Sequence, residues 1–144
     1  MKRALSVIVL TLLIGVCGFA QDRVITFEQL PTNSQSTITQ HFDKTSISYI
    51  KMEKEGSGLE YEVYFTNGAQ LEFSKNGEFK KVDCGLQQVP DGLVPEPVKT
   101  YVKKNFPQAF ITQWEKKRNG WKAELNNDLE LLFNNQYQFT NIED

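Results

Sequence analysis

Apolar residues fall on alternate positions through "YEVYFTNGAQLEFSKNGEF" (residues 61–79) and again, sixty positions later, through "WKAELNNDLELLFNNQYQF" (residues 121–139). A period of two is the signature of strands with one buried face. Turn chemistry fixes their register. A three-residue loop Thr66-Asn67-Gly68 with a left-handed Gly68 sets Phe65 opposite Ala69, Val63 opposite Leu71 and Tyr61 opposite Phe73, all on one face. A two-residue Asn67-Gly68 turn would pair Glu62 with Phe73, and one slip moves every side chain to the wrong side. Lys75-Asn76-Gly77 repeats the device and sets Phe73 opposite Phe79. In the later stretch Asp128 takes the left-handed position, which Asp tolerates, so that Leu125 opposes Leu129, Ala123 opposes Leu131 and Trp121 opposes Phe133. Tyr137 would occupy the corresponding place in the second turn, which a bulky residue resists; a different loop is expected at 134–138.

The two stretches align without a gap at an offset of sixty, from Tyr61 with Trp121 to Asp83 with Glu143. Upstream the offset is sixty-four: Pro31 matches Pro95, Ile38 matches Val102, Phe42 matches Phe106 and Ile47 matches Ile111. This implies an internal repeat. Each copy opens with a helix signal. In the first, Thr32, Asn33 or Ser34 is the expected N-cap ahead of Ile38 and Phe42. In the second, Pro95 and Pro97 suit the first turn, Val98, Tyr101, Val102 and Phe106 form one apolar stripe, and Pro107 ends the helix. Lys99, Lys103 and Lys104 lie on the opposite face, read as solvated surface. A further strand precedes each hairpin pair, from Ser46 and from Phe110. The expected fold is α+β: two tandem α-β-β-β-β repeats, approximately 25–84 and 89–143, sharing an antiparallel sheet of about eight strands with both helices on one face.

Residues 1–20 read as a secretory signal peptide: a basic start, an apolar run, and Gly18 and Ala20 ahead of Gln21. Lipoprotein processing at Cys17 is the rival, disfavoured by the bulk of Val16. No later stretch is long and apolar enough to cross a bilayer. The expected product is residues 21–144, periplasmic or secreted, as a single domain.

Without Lys2 and Arg3 the chain carries 14 basic and 18 acidic side chains, a net charge of −4. No basic stripe exists to neutralise phosphates, which argues against a nucleic-acid partner. Cys84 is then the only cysteine, so the core holds without a disulfide, and no cationic cluster adjoins it to activate the thiol. His41 is the only histidine. HExxH and Cys/His zinc patterns are excluded, as are a P-loop, a G-x-S-x-G elbow and an EF-hand loop. No catalytic, cofactor or metal site is expected.

The stretches "LP…I…HF", "YEVYFTNGAQLEFSKNGEFKKVD", "VP…VKTYVKKNFP" and "LELLF" resemble the PepSY-like proteins of Gram-negative periplasms, whose fold is similar to that of the β-lactamase inhibitory protein. The resemblance covers roughly residues 25–143. It implies an exported, non-enzymatic protein with an open sheet face as a partner site. The second copy lacks both Asn-Gly turns, and no inhibitor loop carries over.

On the expected outer face lie Glu62, Glu72 and Tyr64 from the first copy, and Lys122, Glu124 and Leu132 from the second, with Gln70, Glu130 and Ile111 beside them. Tyr64 and Leu132, amid polar neighbours, are candidate anchors for an envelope or extracellular protein. The carboxylates of the first copy offer the alternative of a small ligand or divalent cation.

Overall fold

Alternation and turn chemistry produce the registers expected of them. The computed structural model describes residues 22–56 and 58–143. Its strands are β1 (Arg23–Ile25), β2 (Ile47–Glu55), β3 (Gly58–Phe65), β4 (Gln70–Ser74), β5 (Phe79–Asp83), β6 (Ile111–Lys117), β7 (Gly120–Leu125), β8 (Glu130–Phe133) and β9 (Phe139–Glu143). They form one sheet in chain order, every neighbouring pair antiparallel. Helix α1 (Thr32–His41) lies between β1 and β2, and α2 (Glu96–Asn105) between β5 and β6. The signal peptide expected over residues 1–20, and Cys17 within it, fall outside the described residues.

Val63 pairs with Leu71, Tyr61 with Phe73, Phe73 with Phe79, Ala123 with Leu131 and Trp121 with Phe133. One residue per strand therefore forms a row across the whole sheet, each the partner of the next: Ile25, Ile50, Val63, Leu71, Val82, Trp114, Ala123, Leu131 and Ile142. The first eight belong to the core. Such burial is worth about 1.5–3 kcal/mol for each large apolar side chain. Ile142 on the edge strand is 40% exposed.

Both helices meet this apolar side. Ile38 of α1 is fully buried, and Phe42 at its C-cap stacks on Phe65 at 4.6 Å. In α2, Val98 and Val102 are buried, while Tyr101 stacks on Phe139 at 4.5 Å and meets Phe133 edge-on at 5.7 Å. Pro97 sits in the first turn of α2, where a missing N–H costs nothing.

Three expectations need correction. The sheet has nine strands, not eight: β1 adds itself to β2 through Ile25 opposite Ile50. The N-cap of α1 is Pro31, with no side-chain cap bond. Asn33 and Ser34 are used elsewhere: Asn33 Nδ2 donates to the Asn76 carbonyl at 3.0 Å, and Ser34 Oγ to the Gly77 carbonyl at 3.2 Å, tying the helix to the β4–β5 turn. The third concerns residues 134–138, which form the same loop as 74–78 instead of a different one. Tyr137 adopts φ 61°, and its N–H donates to the Asn134 carbonyl at 3.0 Å, as Gly77 N–H does to Ser74 at 2.8 Å. The Asn134 side chain accepts from the N–H groups of Gln136 and Gln138, and the Tyr137 ring packs against Trp114 and Trp121. These contacts outweigh a strain of about 1–3 kcal/mol.

Candidate partner-binding sheet face

The face opposite the core carries its own continuous row. Lys51, Glu62, Glu72, Lys81, Glu115, Lys122, Leu132 and Asn141 are successive cross-strand partners from β2 to β9. Beside it runs a second: Tyr49, Tyr64, Gln70, Asp83, Gln113, Glu124, Glu130 and Glu143. Strand pleating puts both rows on one side, because each lies one residue away from the buried row or an odd number from it.

The six candidate residues all fall here, in two groups. Glu62 and Glu72 are direct partners, with Tyr64 next along β3. Lys122 and Leu132 are direct partners, with Glu124 next along β7. Strands β5 and β6 stand between the groups and contribute Lys81 and Glu115, themselves partners. Ile111 does not join them. An extra residue in β6, between Ile111 and Gln113, turns Ile111 inward opposite Leu125, and it is buried.

Tyr64 is held from several sides. Its ring stacks on Tyr49 at 4.4 Å, its hydroxyl donates to Glu62 Oε2 at 2.6 Å, and Gln70 Nε2 donates to its oxygen at 3.4 Å. Burial, reinforced by the Glu62 carboxylate, pushes its phenol above the usual tyrosine range. Tyr49 is 44% exposed. Sequence reasoning assigned no face to Tyr49, although Tyr49, Lys51 and Glu53 alternate in "ISYIKME" and that beat was the available signal.

Ion pairs tie the rest together. Lys51 reaches Asp22 at 3.3 Å, Glu62 at 3.6 Å and also Glu53; Lys81 lies 3.9 Å from both Glu72 and Asp83; Lys117 reaches Glu115 at 2.8 Å. Lys122 donates to Glu130 at 2.6 Å. Burial alone would lower the Lys122 ammonium, but Glu130 and its acidic neighbours hold its pKa above the ordinary value. Among the described residues, no group of three or more His, Cys, Asp or Glu converges as a metal cage. Cys84 is buried, and burial pushes its thiol up to about 11, away from nucleophilic chemistry.

Glu72 is the strained charge of the face. Burial, with repulsion from Glu62, raises its carboxyl above the usual range against the opposing pull of Lys81. A carboxyl raised in the folded state favours folding at low pH, and that contribution is lost as pH rises through the folded value. Glu72→Gln is therefore expected to raise the thermal midpoint near neutral pH. The gain should vanish below about pH 4, where a free glutamate is largely protonated; melts of both proteins across pH check it.

Comparison with known proteins agrees with the fold. Residues 59–141 match a family described as "beta-lactamase-inhibitor-like, PepSY-like". A periplasmic protein from Bacteroides thetaiotaomicron, described as calcium-regulated, is 33% identical with a TM-score of 0.81, the alignment covering 85% of this chain and 97% of that one. Two periplasmic proteins from Bacteroides vulgatus are also similar in structure. One is 34% identical over 88% of this chain and 100% of its own, with a TM-score of 0.81. The other, described as of unknown function, is 31% identical over 86% and 100%, with the same TM-score of 0.81. No curated protein matches the chain. Among the described residues no helix is long and apolar enough to cross a membrane. The family is one of inhibitor-like and periplasmic proteins and not a known enzyme family. With more than half of its length matched to the family and its fold shared with these periplasmic neighbours, the chain belongs to the PepSY-like family.

Proposed function

We propose that the chain is an exported, non-enzymatic binding or inhibitor-like module that docks an envelope or extracellular protein on its outer sheet face. Tyr64 and Leu132 act as anchors, and Glu62, Glu72, Lys122 and Glu124 supply the polar setting. The observation that carries this reading is Tyr64 itself. It is an aromatic on the side of the sheet away from both helices, fixed by Tyr49, Glu62 and Gln70. A side chain already ordered in the free protein loses little freedom on docking, the condition under which few residues carry most of the affinity. Export rests on the leader pattern of residues 1–20 and on the periplasmic descriptions of the structural neighbours. Residues 21–144 would then be one domain of two duplicated units, a reading supported by the equivalent pairs Phe73–Phe79 and Phe133–Phe139.

Tyr64→Ala and Leu132→Ala are each expected to abolish capture of the partner from envelope extract while both variants stay folded. Equal recovery by wild type and both variants would refute the surface assignment.

A second reading, binding of a small ligand or divalent cation, is favoured by the calcium-regulated description of one neighbour. Calcium at millimolar concentration raises the midpoint only if the folded chain binds it. A melt with and without calcium chloride therefore separates the two readings.

A further inference from the structure

The lysines of α2 have a second surroundings besides solvent. A slot of about 670 Å³ runs between α2, the segment from Gln88 to Val94 and the approach to β6. That volume lies within the range of about 300–1,000 Å³ typical of small-molecule sites. Its apolar lining is Pro107, Ala109 and Phe110, which keep exposed surface, over the buried Val89, Val94, Val102 and Ile111. Its wall is one side of α2, where Glu96, Lys99, Thr100 and Lys103 recur at helical spacing, continued by Lys104. From Glu96 to Lys103 this wall is about 10 Å long.

The charges on the slot are unevenly satisfied. Glu96 is taken up by Lys99 at 2.8 Å, and Asp91 accepts from Gln88 at 3.2 Å. Lys103 and Lys104 are exposed and make no ion pair among the described residues. They also sit in the last turn of α2, where positive charge offsets the negative end of the helix. Apolar surface beside the lysines favours a ligand with a hydrocarbon part over a hydrated inorganic ion, and two ammonium groups repel a cation.

We propose that this slot binds a small amphipathic anion, with an aliphatic body against Pro107, Ala109 and Phe110 and a carboxylate or similar head on Lys103 and Lys104. The site lies on the helix side of the sheet and does not depend on partner docking at the outer face.

Titration of the ¹⁵N-labelled protein with sodium decanoate below its micelle concentration tests it. Saturable shifts confined to residues 88–111 are expected. K103Q/K104Q should weaken binding about five-fold, the size of two exposed ion pairs, while K116Q/K117Q on β6 should leave it unchanged. The uncharged 1-decanol should bind more weakly than decanoate. Shifts that never saturate or spread over the sheet would overturn the proposal. So would equal binding of 1-decanol, equal weakening by the two lysine pairs, or a K103Q/K104Q protein of lower midpoint with unaltered decanoate affinity.

Discussion

Gly120→Ala is expected to cost about 3–5 kcal/mol, from backbone strain and forced overpacking together. Gly120 opens β7 with φ 153°, is buried, and pairs with Lys117 across the turn. A Cβ there would lie 2.0 Å from the Phe133 carbonyl oxygen and 3.0 Å from Asn134 Cα. Both obstacles are backbone, so no rotamer change relieves them, and β7 and β8 must separate. Phe133 cannot yield easily, because it meets Trp114, Phe139 and Tyr101. At about 4 °C per kcal/mol for a domain of this size, the midpoint should fall by roughly 12–20 °C. Gly68→Ala is the matched control. Gly68 also has a positive φ, of 87°, but nothing lies within 4 Å of its Cβ position, so only about 1 kcal/mol is expected. Comparable losses at the two positions in thermal melts would contradict the close approach of β7 to β8.

Trp114→Ala should cost about as much, 3–5 kcal/mol by the usual range for buried aromatics. Trp114 is 1% exposed and stands near the middle of the buried row, with Val82 of β5 and Ala123 of β7 as its partners. Its ring stacks on Trp121 at 4.9 Å, nearly parallel, and touches Phe133 and Tyr137. Removing it opens a cavity where β5 meets β6, and also withdraws part of the support for the left-handed Tyr137 loop. Trp121 is only partly buried, and Trp121→Ala should cost less, about 1.5–3 kcal/mol. Urea unfolding distinguishes them: a lower midpoint at unchanged slope marks lost stability, and the larger drop should belong to Trp114.

The hairpins were legible because each signal was local. Alternation named the buried side, and Asn67-Gly68, Asn76-Gly77 and Asp128 fixed the registers within a few residues of the side chains they align. What failed depended on distant partners. β1 is three residues long and owes its strand state to Ile50 across the edge, so no periodicity could reveal it. Tyr137 reads as a misfit on its own; the Trp114 and Trp121 rings that hold it come from β6 and β7. Ile111 was assigned outward because alternation was extended through an extra residue in β6 that leaves no mark in composition. The candidate face divides in the same way. Glu62 beside Glu72 and Lys122 beside Leu132 followed from hairpin register, whereas Lys81 opposite Glu115 joins strands separated by α2. Lys99, Lys103 and Lys104 read as solvated surface from the helix pattern alone, because the slot they border is made with Val89 and Ile111, which that pattern does not contain.

Photocrosslinking in the envelope tests the working surface most directly. A photoreactive residue at position 141 lies on the outer sheet face directly opposite Leu132, and one at position 36 lies on the exposed side of α1. The proposed function predicts a discrete adduct from position 141, lost when Tyr64→Ala is added, and none from position 36. An adduct from position 36 alone would contradict it.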